Sequence, residues 1–120
     1  MRNRLLQLIV TLFSPSSKTM IPTISVEELR SRLNANEDVF ILDVRQPEEH
    51  AASRVVDGPL IPLGELPHRI HELDAVKDRE IIVYCRSGAR SSQAAQFLNQ
   101  QGFRCVNMSG GILAWNQSKG

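Results

Sequence analysis

Residues 81–91 are IIVYCRSGARS, an apolar run followed by a cysteine, two arginines and a glycine. The apolar run predicts the central buried strand of a sheet, and the segment from Ser91 to Gln101 is helix-like. Cys85 therefore stands where a strand ends and a helix begins. That position makes it the first candidate for chemistry in the chain.

The position of Cys85 favours a reactive thiol. Backbone N–H groups at a helix start have no partner within the helix, and the aligned peptide dipoles favour a negative charge there. Such a setting lowers a thiol pKa from about 8.5 towards about 3.5–7.5. The alternative is a small buried hydrophobic residue at a strand end. Arg86 and Arg90 argue against a buried hydrophobic role for Cys85, because guanidinium groups are rarely buried unpaired. The segment from Cys85 to Arg90 therefore resembles an anion site.

The rest of the chain predicts an α/β fold with a mainly parallel central sheet of about five strands and helices on both faces. Short apolar runs alternate with amphipathic segments from residue 21 onward. Strands are expected at residues 39–42, near 60–61, at 81–84 and at 104–108.

Helix boundaries are marked by residues with known terminal preferences. Ser25 with Glu28 forms a capping box for a first helix, and Pro47 fits the first position of a second. A third helical stripe follows Gly64, and Gly102 is a natural end for the helix before the last strand. A closing helix begins at residues 110–111.

Composition limits the class of protein. The chain has 120 residues, with 42% hydrophobic, 22% charged and a formal net charge of +1. These values describe one globular domain, which we place at residues 21–120. No dense basic run is present, so nucleic acid is not an expected partner. Two cysteines are too few for a disulfide framework, and no metal-ligand spacing occurs. We therefore expect a reducing compartment, the cytoplasm, with neither metal nor cofactor.

Residues 1–20 form an apolar segment and linker of a different character. Their apolar run is too short to span a bilayer, which needs about 20 residues, and no Ala-x-Ala cleavage site follows it. Leu5, Leu8, Ile9 and Leu12 match one helical face. The segment is interpreted as a helix packed on the domain or on a second copy, with export and membrane-surface attachment as alternatives.

Asp43 and Arg45 follow the buried strand at residues 39–42. Ligands of open α/β sheets bind at the carboxyl ends of strands, so these residues and Cys85 are expected on one edge. Asp43 is expected to pin a loop by accepting N–H bonds or pairing with an arginine, with direct participation in chemistry as the alternative, and Arg45 to brace a loop or be solvated. Surface positions are predicted for the histidines, which are His50, His68 and His71.

Four segments in order resemble a single-domain rhodanese, a sulfurtransferase: ILDVRQPEEH at residues 41–50, IPL at 61–63, IVYCRSGARS at 82–91 and GGILAW at 110–115. The resemblance runs from about residue 24 to residue 117 and leaves residues 1–20 outside. One departure occurs at residues 52–59, ASRVVDGP, where many members have a Gly-His-Ile turn.

The resemblance implies a reaction in two halves. The Cys85 thiolate would take the outer sulfur of thiosulfate or a persulfide donor as a persulfide, and a thiol or cyanide would then remove it. The six-residue loop would hold the persulfide with its N–H groups; it comprises Cys85, Arg86, Ser87, Gly88, Ala89 and Arg90. Its two arginines would orient the small anionic donor, Arg90 more strongly than Arg86.

Two other functions use a similar loop. A sulfur carrier or sensing module would receive sulfur on Cys85 and pass it to a sulfur-accepting protein. A cysteine phosphatase or arsenate reductase has five residues between cysteine and arginine, whereas four separate Cys85 from Arg90 here. Cys105, in the last predicted strand, is expected to be buried and inert, with a resolving thiol as the alternative.

Overall fold

The computed structural model describes residues 20–118, which form a four-stranded sheet with helices on both faces. The strands are β1 (Thr23–Ile24), β2 (Phe40–Asp43), β3 (Glu80–Tyr84) and β4 (Arg104–Met108). The helices are α1 (Val26–Asn34), α2 (Pro47–Ala52), α3 (Leu66–Arg69), α4 (Ala89–Gln100) and α5 (Gly111–Gln117), with 3₁₀ turns at Leu63–Glu65 and Ile70–Val76. The predicted α/β class is confirmed.

All strand pairs are parallel, in the order β1-β4-β3-β2. Successive side chains of β3 point to opposite faces, so Ile81 and Val83 pack with α4 while Ile82 and Tyr84 pack with α1 and α5. Both faces are therefore apolar, which explains why this strand is a continuous hydrophobic run. The register pairs Asp43 with Tyr84, which brings the carboxyl ends of β2 and β3 to the same edge.

The strand predicted near residues 60–61 is reduced to a single bridge between Asp43 and Leu60. Pro59 and Pro62 flank this bridge. Proline has no N–H to donate, so the ladder does not extend. The described residues consequently form four strands rather than about five. One of them, β1, was not expected from the sequence, since two residues carry no periodic pattern.

The predicted helix boundaries are largely confirmed. The Glu28 N–H donates to the Ser25 hydroxyl at 3.0 Å, and Pro47 is the first residue of α2. Gly102, at φ 95°, follows the end of α4. The third helical stripe is divided between α3 and the second 3₁₀ turn.

Predictions for residues 1–19 lie outside the described residues. Between residues 20 and 118, no helix has the length and apolar character needed to cross a membrane.

Candidate active site

Cys85 directly follows β3, on the face of the sheet that α4 covers. Its side chain is 1% exposed, so the sulfur lies at the base of the loop rather than on its surface. Within the loop, Gly88 has φ 114°, a left-handed conformation that glycine adopts without steric cost. The turn at Gly88 directs the chain into α4, whose first residue is Ala89.

Hydrogen-bond donors of the loop and of α4 converge on the Cys85 sulfur. The Gly88 N–H donates to Sγ at 3.1 Å, and the Ser91 N–H donates at 3.3 Å. Burial alone would raise the pKa of the Cys85 thiol, but hydrogen bonds from the Ser91 hydroxyl and from the Ser91, Gly88 and Ser87 amides outweigh it and lower this pKa. Two of these amides, from Ser87 and Gly88, belong to the six-residue loop, and the third belongs to Ser91 just beyond it. The thiol is held in a setting that favours the thiolate.

Ser91 and Asn107 complete this setting, and neither was predicted from the sequence as a site residue. The Ser91 hydroxyl lies 3.4 Å from Sγ and also bonds Asn107 Oδ1. Asn107 Nδ2 donates to the Gly88 carbonyl at 3.2 Å, which links β4 to the loop. The available signal was helical spacing, because Ser91 lies in the first turn of the helix that Cys85 precedes.

The N-terminal end of α5 is hydrogen-bonded to the backbone of the active-site loop. The Ile112 N–H donates to the Cys85 carbonyl at 2.9 Å, and the Leu113 N–H donates to the Arg86 carbonyl at 3.1 Å. Gly111 permits this approach, since a Cβ at that position would collide with the Arg86 carbonyl. The GG pair predicted to open the closing helix therefore also determines how close that helix comes to the loop.

The two loop arginines differ in their surroundings. Arg90 forms a bidentate ion pair with Glu49 of α2, with Nη1–Oε1 at 2.8 Å and Nη2–Oε2 at 3.0 Å. Arg86 is exposed and forms no ion pair with any residue from 20 to 118. The Arg90 hydrogen bonds, opposed by partial burial, lower the pKa of Glu49 to about 2. Glu49 is therefore ionised at neutral pH, a role that its helix position alone did not indicate.

Asp43 and Arg45 form a buried ion pair at the edge of the sheet. Arg45 donates to Asp43 through Nε at 2.9 Å and through Nη2 at 2.7 Å, and Asp43 is 1% exposed. Burial would raise the pKa of Asp43, but hydrogen bonds from Arg45 and His50 keep it below its usual value. The loop-pinning interpretation of both residues fits these contacts.

His50 was wrongly predicted at the surface. Its Nδ1 lies 2.9 Å from Asp43 Oδ2, and its side chain is only 18% exposed. His50 is the fourth residue of α2, and this helix brings its ring to Asp43 at the carboxyl end of β2. The other two histidines, His68 and His71, are exposed as expected.

Residues 25–118 match the family described as Rhodanese-like domain. The chain belongs to the rhodanese-like family.

Sulfurtransferases are among the relatives of this rhodanese-like chain. A protein named sulfurtransferase from Allochromatium vinosum is 44% identical over 97 residues, which cover 80% of this chain and 89% of that relative. A rhodanese-like domain protein from Staphylococcus aureus has a TM-score of 0.74 at 30% identity, covering 79% of this chain and 91% of that one. Thiosulfate sulfurtransferase from Pseudomonas aeruginosa has a TM-score of 0.74 at 26% identity, covering 85% of this chain and 20% of that one.

The segment at residues 52–59, which departs from the rhodanese pattern, is held by two buried side chains. Arg45 Nη2 donates to the Ser53 carbonyl at 2.6 Å. The Val55 N–H donates to the Tyr84 hydroxyl at 3.1 Å. This segment is therefore attached to the same edge of the sheet as the active-site loop.

Cys105 is buried, as expected. It is 2% exposed, and burial raises the pKa of its thiol to about 12. Cys105 pairs in register with Ile81, four residues before Cys85, which separates the two cysteines by about 13 Å along the strands at about 3.3 Å per residue. A direct disulfide needs Cα atoms within about 7 Å, so Cys105 does not serve as a resolving thiol for Cys85 in this arrangement.

Among residues 20–118, no group of three metal-binding side chains comes together.

Proposed function

We propose that this rhodanese-like chain is a sulfurtransferase that carries a sulfane sulfur on Cys85. The donor is thiosulfate or a persulfide, and the acceptor is a thiol or cyanide. One observation carries the proposal: the Cys85 sulfur accepts hydrogen bonds from the Gly88 and Ser91 amides at the start of a helix. Such donors stabilise a thiolate, the form of cysteine that attacks sulfur.

The first half of the reaction would load the enzyme. The Cys85 thiolate attacks the outer sulfur of thiosulfate, a new Sγ–S bond forms, the S–S bond of thiosulfate breaks, and sulfite leaves with the electron pair. The persulfide keeps one negative charge, which the loop amides stabilise. Arg86 and Arg90 would orient the leaving oxyanion from the loop.

The second half would regenerate the thiolate. Cyanide or a thiolate acceptor attacks the outer sulfur of the persulfide, and the electron pair of the S–S bond returns to Cys85. Thiocyanate or a new persulfide leaves. Because both cysteines are free, a reducing compartment suits this cycle, and we propose the cytoplasm. A protein thiol is an acceptor of the same chemical class.

Mass spectrometry after incubation with thiosulfate tests the proposal directly. The expected result is the gain of one sulfur atom on the peptide that contains Cys85, with thiocyanate release when cyanide is added. Cys85→Ser should abolish both and retain the fold, whereas Cys105→Ala should retain both. Absence of the added sulfur in the wild-type protein with both thiosulfate and a persulfide donor would refute the proposal.

Two further outcomes would replace the proposal with another function. A stable Cys85 persulfide with negligible turnover, discharged only by a partner protein, would identify a sulfur carrier. Hydrolysis of a phosphate monoester faster than transfer from thiosulfate would identify a phosphatase. The loop spacing disfavours that result, because four residues rather than five separate Cys85 from Arg90.

A further inference from the structure

Glu49 forms an ion pair with Arg90, the loop arginine that a donor anion would be expected to bind. Both terminal nitrogens of Arg90 are used in its bidentate contact with Glu49. Nε of Arg90 takes no part in that contact. A bidentate arginine–carboxylate pair is the strongest geometry for this interaction, so a donor must compete with an internal carboxylate for this guanidinium.

The carboxylate is fixed in place by the start of α2. The Gln46 N–H donates to Glu49 Oε1 at 2.9 Å, and together with a reciprocal contact this forms a capping box. Pro47 fixes the first helical position. The start of α2 therefore orients Glu49 towards Arg90. Because the side chain is already held in this orientation, forming the contact costs little side-chain entropy.

The charges near Cys85 consequently sum to a small value. Arg90 cancels Glu49, and Arg45 cancels Asp43. Arg86 remains as one exposed positive charge without an ion pair among the described residues. One unpaired positive charge on the loop and one thiolate at its base leave little net attraction for a dianion, since each further negative charge on the donor is repelled by the thiolate.

We infer that Glu49, by holding Arg90, makes the site select sulfane-sulfur donors with one negative charge over the doubly charged thiosulfate. This inference rests on the proposed function and concerns the charge class of its donor. Glu49 is in this account a specificity-determining residue that acts through Arg90.

Thiosulfate and the methanethiosulfonate anion are a matched pair of donors. Both present an outer sulfur to the Cys85 thiolate. Attack on thiosulfate gives the Cys85 persulfide and sulfite, and attack on methanethiosulfonate gives the same persulfide and methanesulfinate. The bond that breaks is a sulfur–sulfur bond in each case, and total charge is conserved. The donors differ in charge, which is −2 for thiosulfate and −1 for methanethiosulfonate.

The test compares Glu49→Gln with Glu48→Gln. Glutamine retains an oxygen for the Gln46 N–H, because a capping box accepts glutamine at this position. Glu48 is exposed, adjacent in sequence and outside the pair with Arg90, so its substitution removes the same charge without freeing the guanidinium. The measured quantity is kcat/KM for thiosulfate divided by kcat/KM for methanethiosulfonate.

The expected result is a rise in this ratio of about tenfold in Glu49→Gln, for a unit charge about 6 Å from the donor and an effective dielectric constant of about 40. The ratio should be nearly unchanged in Glu48→Gln. An unchanged ratio in Glu49→Gln, or an equal loss of activity with both donors, would overturn the inference and leave the proposed function intact.

A second measurement needs no sulfur transfer. Cys85 is alkylated with iodoacetate, which is negatively charged, and with iodoacetamide, which is neutral, and the modified peptide is quantified by mass spectrometry. Glu49→Gln should raise the iodoacetate-to-iodoacetamide rate ratio several-fold, whereas Glu48→Gln should not. A raised ratio in a protein that transfers no sulfur would support the charge selection and refute the proposed function. An unchanged ratio would refute the charge selection.

Discussion

Replacing Ser91 by alanine should raise the pKa of the Cys85 thiol while the loop amides remain in place. The sulfur lies 3.1 Å from the Gly88 N–H, 3.3 Å from the Ser91 N–H and 3.4 Å from the Ser91 hydroxyl, and the Ser87 amide also contributes. The substitution removes the hydroxyl contact and leaves the amides of Ser87, Gly88 and Ser91. It also removes the hydroxyl that bonds Asn107.

The size of the effect follows from the geometry of that contact. A hydrogen bond to a charged group contributes about 1.5–3 kcal/mol. Because the hydroxyl is distant from the sulfur and is shared with Asn107, we expect less, about 1 kcal/mol, which is about a fivefold change in the ionisation constant of the thiol. The thiolate fraction below the pKa should then fall about fivefold.

The assay is the pH dependence of Cys85 alkylation by iodoacetamide. The alkylation rate of Ser91→Ala should be about fivefold below that of wild type at pH values under the Cys85 pKa. The two rates should converge at high pH, where Cys85 is ionised in both proteins. Ser92→Ala is the matched control, because Ser92 lies in the same turn and its hydroxyl does not bond the sulfur. Superimposable pH profiles for Ser91→Ala and wild type would refute the reasoning.

Three other substitutions test the surroundings of the loop. Arg90→Ala should lower kcat/KM for thiosulfate more than Arg86→Ala, since it also leaves Glu49 unpaired beside the donor; equal or reversed effects in steady-state kinetics would contradict this. The pKa of Glu49 in the folded protein, about 2, lies below its usual value of 4.5. The ion pair with Arg90 therefore stabilises the fold at pH values above 4.5, and this contribution is lost as the pH falls towards 2. Urea denaturation should therefore show a smaller loss of stability for Glu49→Gln than for wild type between about pH 5 and about pH 3, and equal losses would count against the pair. Gly111→Ala should cost at least about 2 kcal/mol in the same assay, because φ is 63° and its Cβ meets the Arg86 carbonyl, whereas Gly64→Ala, which enters open space, should be nearly neutral; similar stabilities would contradict the collision.

The parts of the site that the sequence predicted are local ones. A strand that ends at Tyr84, a loop that begins at Cys85 and a helix beyond it lie within a short segment, so their geometry depends mainly on neighbouring residues. The placement of Asp43 near Cys85 needed one tertiary rule, the meeting of strand ends at one edge of a parallel sheet. The register of β2 with β3 satisfies that rule.

The parts that the sequence did not predict depend on distant residues. Glu49 and Arg90 are 41 positions apart, and their pairing requires α2 and α4 to meet at the sheet edge. Asn107 reaches the loop only because β4 lies beside β3. The burial of Cys85 has the same origin, because Cys85 belongs to the core cluster that includes Ala94 and Leu98 of α4. By contrast, the short bridge at Leu60 had a sequence signal, the flanking prolines.

The contacts between α5 and the loop have a consequence for the direction of the loop amides. A trans peptide is planar, with its C=O and N–H pointing in opposite directions. The Arg86 carbonyl is bound by the Leu113 N–H, so the amide of Ser87 in the same plane is turned away from α5 and towards the interior of the loop. This amide is one of those that lower the pKa of the Cys85 thiol. The last helix therefore influences the Cys85 sulfur indirectly. Its hydrogen bond to the Arg86 carbonyl fixes the orientation of that peptide plane, and the Ser87 N–H on the opposite side of the plane then points towards the sulfur.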